Sequence, residues 1–161
     1  MAADPIAVLF VCTGNICRSP MAESVFQRLV TEAGLAERFE IDSAGMIDFH
    51  AGRAPDPSGQ AVAARHGYDI AGQSARRIDK RDFARFDYVV ALDRGHHRQL
   101  MALRPEGSEA RLRLMMEFAP SFGTLDVPDP FGGSEGDFEQ VLRMIEAGAA
   151  GLLAAIRAED L

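Results

Sequence analysis

The sequence predicts an α/β protein: a single three-layer domain over residues 1–161, in which a four-stranded parallel sheet is flanked by helices on both faces. Three observations carry this. Short apolar runs without polar alternation, such as Ile6 to Val11 and Tyr88 to Leu92, suit strands buried on both faces. Between them lie segments with apolar residues at helical spacing, and alternating strand and helix implies right-handed βαβ crossovers. A length of 161 residues fits one domain with one sizeable core.

The first strand, Ile6 to Val11, runs straight into VCTGNICRSP, residues 11–20. In the helix that follows, Ser19 is expected to cap and Pro20 to take the first position. Met21, Val25, Phe26, Leu29 and Val30 form its apolar stripe, and Gly34 stops it. A second strand covers Phe39 to Ala44. GMIDFHAGRAPDP, residues 45–57, is a loop long enough to serve a purpose. Asp56 and Pro57 open another helix that ends at Gly67, and a short helical piece follows Asp79. Tyr88 to Leu92 forms a strand, Asp93 caps a helix to Leu103, and Ala110 to Met115 is the fourth strand. In the last helix Ser134 caps, Asp137 takes the third position, and Phe138, Val141, Leu142, Ile145, Ala149, Leu152, Leu153 and Ile156 repeat at 3.6 spacing.

A formal charge of −7 argues against a broad electrostatic footprint for nucleic acid or an anionic membrane, so neither is an expected partner and any bound anion must be captured locally. The early apolar run is far shorter than the roughly 20 residues that span a bilayer, and no signal peptide is readable. Two cysteines in a chain able to build its own core do not make a disulfide scaffold. A reducing, cytoplasmic setting is therefore expected, with secretion by a signal-less route left open.

A loop between a buried strand and a helix start exposes free backbone N–H groups at the positive end of the helix dipole, which makes an anion cradle. The nucleotide-binding patterns G-x-x-x-x-G-K-S/T and G-x-G-x-x-G are absent from this one. It carries Cys12 and Arg18 instead. Cys12 begins the loop, where oriented N–H groups, Arg18 and the dipole all favour a thiolate aimed at the anion. Arg18, six residues on, can hold two phosphate oxygens as a planar fork, which lysine cannot. Gly14 is expected to allow close backbone approach or positive φ, and Asn15 to brace the turn. C-x5-R-S/T by chance arises in on the order of one per cent of chains this long, and far fewer place it between a buried strand and a Pro-opened helix.

VLFVCTGNICRSPMAE resembles the signature of the low-molecular-weight protein tyrosine phosphatases, and the resemblance continues through IDSAG, GRAPDP, RHG and VPDPFGG to cover essentially the whole chain. It implies Cys12 as nucleophile, Arg18 as phosphate clamp, and Ser19 as hydroxyl donor to the thiolate. Thr13, Gly14, Asn15, Ile16, Cys17 and Ser19 complete the phosphate-binding loop, and Asn15, Ser43 and His66 match its bracing network. A protein carrying phosphotyrosine is the implied substrate, a tyrosine kinase among the possibilities.

Expelling a phenolate, whose conjugate acid has a pKa of about 10, needs a positioned acid. LDVPDPFGG offers Asp126 and Asp129. Asp129, held between Pro128 and Pro130 with Gly132 and Gly133 following, is the choice, and the family's Asp-Pro motif agrees. Arg18 and the loop N–H groups neutralise the transferred group, so no metal or other cofactor is expected, and His50, His96 and His97 show no ligand spacing. Phe131 stands where the family often has tyrosine, keeping an aromatic wall without the hydroxyl. Asp48 and Phe49 match the loop that shapes the rim. Cys17 is open to three readings: a buried filler, a backbone contributor to the cradle, or a redox partner of Cys12; the resemblance favours the last two. Two rivals are an arsenate reductase of the same fold, whose thioredoxin-coupled type needs relay cysteines this chain lacks, and a phosphotyrosine-binding module, which would need neither Cys12 nor Asp129.

Overall fold

The computed structural model describes residues 4–161. Its strands are β1 (Ile6–Cys12), β2 (Phe39–Gly45), β3 (Tyr88–Ala91) and β4 (Arg111–Leu114), all parallel in the order β2-β1-β3-β4. The helices are α1 (Arg18–Glu32), α2 (Pro57–Arg65), α3 (Asp82–Arg85), α4 (Arg94–Leu103) and α5 (Glu135–Asp160), with short 3-10 turns at Ala36–Arg38, Met115–Phe118 and Pro120–Phe122.

Side-chain alternation along β1 builds both faces of the sheet. Val8, Phe10 and Cys12 point into a core made with Met21, Val25 and Phe26 of α1 and Phe138, Leu142 and Ile145 of α5. Ala7, Leu9 and Val11 point the other way, onto Ile78, Phe83, Phe86 and Leu100 beside α3 and α4. An apolar run without alternation is what a strand needs when helices cover it on both sides. The long helix α5 lies against the turn Met115–Phe118, and a Cβ at Gly151 would collide with the Phe118 carbonyl, so only glycine permits that approach.

The ends of the elements follow local chemistry, with one exception. Asp56 accepts hydrogen bonds from the N–H groups of Ser58 and Gly59, Asp93 from His96, and Ser134 and Asp137 form a reciprocal capping box. Helix α1 departs from expectation: it starts at Arg18 behind Cys17, without a side-chain cap. The Ser19 hydroxyl, expected to cap, is engaged elsewhere.

The chain leaves β1 to one side for β2 and returns to its other side for β3, so a crevice opens beyond the carboxyl ends of β1 and β3. Cys12 ends β1, Gly45 ends β2, and Asp93 lies two residues past β3.

Candidate active site

Thr13 to Cys17 wrap from the end of β1 to the start of α1, and none of their backbone N–H groups donates a hydrogen bond to another described residue. These free donors beside a helix N-terminus form an anion cradle. The loop is fixed from behind: Asp56 N–H donates to the Ile16 carbonyl at 2.8 Å, and Ile47 N–H to that of Thr13 at 3.1 Å. A Cβ on Gly45 would come within 2.7 Å of the Thr13 carbonyl oxygen, so no larger residue fits behind the turn. The positive φ in the loop, 58°, falls on Asn15 and not on Gly14. Gly14 instead lets the His50 ring close in, since its Cβ would lie 2.8 Å from His50 Cδ2.

Asn15 tolerates the left-handed conformation because its side chain is tied on every side. Its Nδ2 donates to Ser19 Oγ at 2.8 Å and to Ser43 Oγ at 3.0 Å, while Oδ1 accepts from the Arg76 N–H at 3.0 Å. The Ser43 hydroxyl in turn donates a hydrogen bond to Glu23 Oε1 at 2.6 Å. Ser19 Oγ, which accepts one of the Asn15 N–H bonds, lies 2.9 Å from Cys12 Sγ and 3.4 Å from the Ala44 carbonyl, so its hydrogen is placed to be given to a thiolate and to stabilise negative charge on sulfur. Burial pushes the Glu23 carboxyl above its ordinary range, opposed by the Ser43 bond.

His66 takes no part in this network. It is the C-cap of α2, and its Nε2 pairs at 2.6 Å with Glu139 on α5, beside the Arg65 pairs with Glu135 and Glu139. The bracing role expected for His66 is therefore not met, because the end of α2 packs on α5 and turns His66 toward that helix's surface. Glu23 and the Arg76 N–H complete the bracing instead, and neither stood out in the sequence.

Arg18 is only 3% exposed. Its Nη1 donates to Asp93 Oδ2 and to the Val127 carbonyl, both at 2.9 Å, and its Nη2 to Thr13 Oγ1 at 3.3 Å. Asp93, read from sequence only as a helix cap, therefore does two jobs: Oδ1 caps α4 through the His96 N–H, and Oδ2 offsets the cost of burying a guanidinium. The signal available for it was its place just beyond a strand adjacent to β1.

Asp129 is half exposed. Its Oδ1 accepts the Phe131 N–H at 3.0 Å, and its Oδ2 stands 3.8 Å from Arg18 Nη2. Cys12, Arg18 and Asp129 line one cleft of about 90 Å³, walled by Ile47, His50 and Phe131. Phe49, 74% exposed, packs its ring edge-to-face on His50 with centroids 4.8 Å apart, and Phe131, 58% exposed, lies 5.9 Å from the same ring. Asp48 sits on the exposed rim 4.0 Å from Arg77. Both thiols are free and buried. Burial pushes the Cys17 thiol far up, with Asp56, Cys12 and Asp129 adding to it, so Cys17 stays protonated beside Cys12. A larger cleft of about 790 Å³, bordered by Phe83, Tyr88 and Arg111, holds none of these residues.

A buried cysteine, an arginine and an aspartate gathered around an anion cradle on a parallel α/β sheet are the groups on which cysteine-dependent phosphatases are built. The family described as low molecular weight phosphotyrosine protein phosphatase matches residues 7–161, and the chain belongs to it. It is 50% identical to the low molecular weight protein-tyrosine-phosphatase of Streptomyces coelicolor, over 93% of each chain. The crystal structure of YfkJ from Bacillus subtilis covers both chains fully at 35% identity with a TM-score of 0.91. A protein tyrosine phosphatase from Entamoeba histolytica, solved with Hepes in its active site, is 33% identical and covers 97% of this chain and 99% of its own, with a TM-score of 0.92.

Proposed function

We propose that this protein hydrolyses phosphotyrosine in proteins through a cysteinyl-phosphate intermediate. The observation that carries the reading is the cleft shared by Cys12, Arg18 and Asp129 between apolar walls. The Cys12 thiolate attacks phosphorus in line as the bond to the phenolic oxygen breaks, and Asp129 delivers its proton to that oxygen. Tyrosine leaves. Asp129, now a carboxylate, takes a proton from water as the water oxygen attacks phosphorus, the S–P bond breaks, and orthophosphate is released with the thiolate restored. Arg18 and the loop N–H groups carry the charge on the equatorial oxygens in both steps.

Ile47 and Phe131 suit a phenyl ring, and the exposed Phe49 and Phe131 suit phosphotyrosine displayed on a protein surface, a phosphorylated tyrosine kinase among such proteins. The test is orthophosphate release from matched phosphotyrosyl and phosphoseryl peptides. Burying the ring favours the tyrosyl peptide by about 10- to 100-fold in kcat/KM. Equal rates, or none, would overturn the reading.

The setting proposed is a reducing one, in which Cys17 guards Cys12. Peroxide oxidises Cys12 to a sulfenic acid with release of water, and the Cys17 sulfur then displaces a second water to close a disulfide that an external thiol reopens. After mild peroxide treatment, thiol is expected to restore the wild type and to restore Cys17→Ser poorly. Equal recovery of the two would remove Cys17 from this role.

A further inference from the structure

The hydroxyl of Thr13 touches Arg18 on one side and a buried imidazole on the other. Arginine only donates, so Thr13 Oγ1 accepts the Arg18 Nη2–H, and its own proton must find a different acceptor. His96 Nε2, 2.8 Å away, is the acceptor within reach, and the approach of its other ring nitrogen to the Asp93 carboxylate favours the tautomer that leaves Nε2 free to accept. The bond places the His96 proton on Nδ1, which lies 3.2 Å from Asp93 Oδ1 without a well-formed hydrogen bond. His96 is 3% exposed, and burial first, then Arg18, push it down to about 4 against the opposing pull of Asp93, Asp129 and Asp126. It is therefore neutral near pH 7, as the bond from Thr13 requires.

Of the five guanidinium N–H bonds of Arg18, the two on Nη1 are taken by Asp93 and Val127, and one on Nη2 by Thr13. The Nε–H and the second Nη2–H remain, two neighbouring donors that match a pair of phosphoryl oxygens. Their direction depends on the guanidinium being held at both ends, and the Thr13 end is held in turn by His96, 83 residues away in sequence.

We propose that His96 is a positioning residue for phosphoryl transfer, acting through the Thr13 hydroxyl to orient the free donor edge of Arg18 toward the phosphoryl oxygens. The proposal rests on the phosphatase reading of Cys12 and Arg18.

It is tested with Thr13→Val, His96→Phe and the double variant, read by aryl phosphate kinetics and by the affinity for inorganic phosphate, with thermal melting to establish folding. Each single variant is expected to lower kcat about 10- to 100-fold, with a smaller change in KM. Phosphate affinity should fall in both. Because the two residues act through one bond, the double variant should be no worse than the poorer single one, and Thr13→Ser, which keeps the hydroxyl, should recover most of the loss seen with valine. Losses that multiply in the double variant, or wild-type kcat and phosphate affinity in Thr13→Val, would overturn the proposal; the latter decides it even where His96→Phe does not fold. An inactive wild type would refute the phosphatase reading instead, while the coupling in phosphate affinity would still report on His96.

Discussion

Cys12→Ser is expected to abolish turnover, with kcat for aryl phosphates falling on the order of 10⁴- to 10⁶-fold. The change removes one polarisable atom and little else. Cys12 is buried at the end of β1, and serine leaves the strand pairing with Gly45 and the cradle behind it in place. Its hydroxyl, unlike a thiolate, is a poor nucleophile near neutral pH. Arg18 keeps its bonds to Asp93 and Val127, so the variant should still bind the substrate it cannot cleave. Stopped-flow release of phenol together with equilibrium binding of a phosphotyrosyl peptide separates the two effects. Turnover within tenfold of wild type would mean that water attacks phosphorus directly and that no cysteinyl phosphate forms.

Asp129→Ala is expected to lower kcat for phenyl phosphate by about 10²- to 10⁴-fold, the usual worth of a general acid. The size of the defect should depend on the leaving group. For strongly acidic phenols, which depart without help, it shrinks; for tyrosine-like phenols it is largest. A plot of log kcat against leaving-group pKa should be shallow in the wild type and steep in the variant. Asp129 also shapes its own turn by accepting the Phe131 N–H, so Asp129→Asn is the informative companion. Asparagine keeps an acceptor for that bond and loses the acid, and it should be as impaired as alanine. An Asn variant with wild-type kcat would assign the effect to loop geometry and leave the acid elsewhere.

Cys12, Arg18 and the cradle were legible in the sequence because they lie on one uninterrupted loop, where spacing alone puts them within reach of each other. Asp129 was legible for another reason: phenolate departure demands an acid, and a carboxylate between two prolines is a restricted one. The alternating pattern of runs and helical stripes similarly located every strand and the main helices, since burial on both faces of a parallel sheet leaves a continuous apolar record. Ser19 shows where local reasoning gives way. As the serine before Pro20 it has the chemistry of a cap, yet the loop carries it toward Cys12 and Asn15, and the helix begins two residues earlier, at Arg18, without a capping side chain.

His66 and Asp93 mark the same boundary from opposite sides. His66 sits in a motif that resembles the family's, but its position at the end of α2 turns it to Glu139 on α5, while Glu23 braces Ser43. Asp93 carries a role that no local pattern announces, because it depends on β3 lying beside β1. Residue type and short spacing were enough to read the strands and main helices and to single out Cys12, Arg18 and Asp129, which the fold brings into one cleft. How Arg18 is held is visible only in the tertiary structure: it bonds to Asp93 and Val127, 75 and 109 residues away, and Thr13 bonds to His96, 83 away. Such bonds join loops that meet only through the order of the strands, and strand order leaves no periodicity along the chain to read.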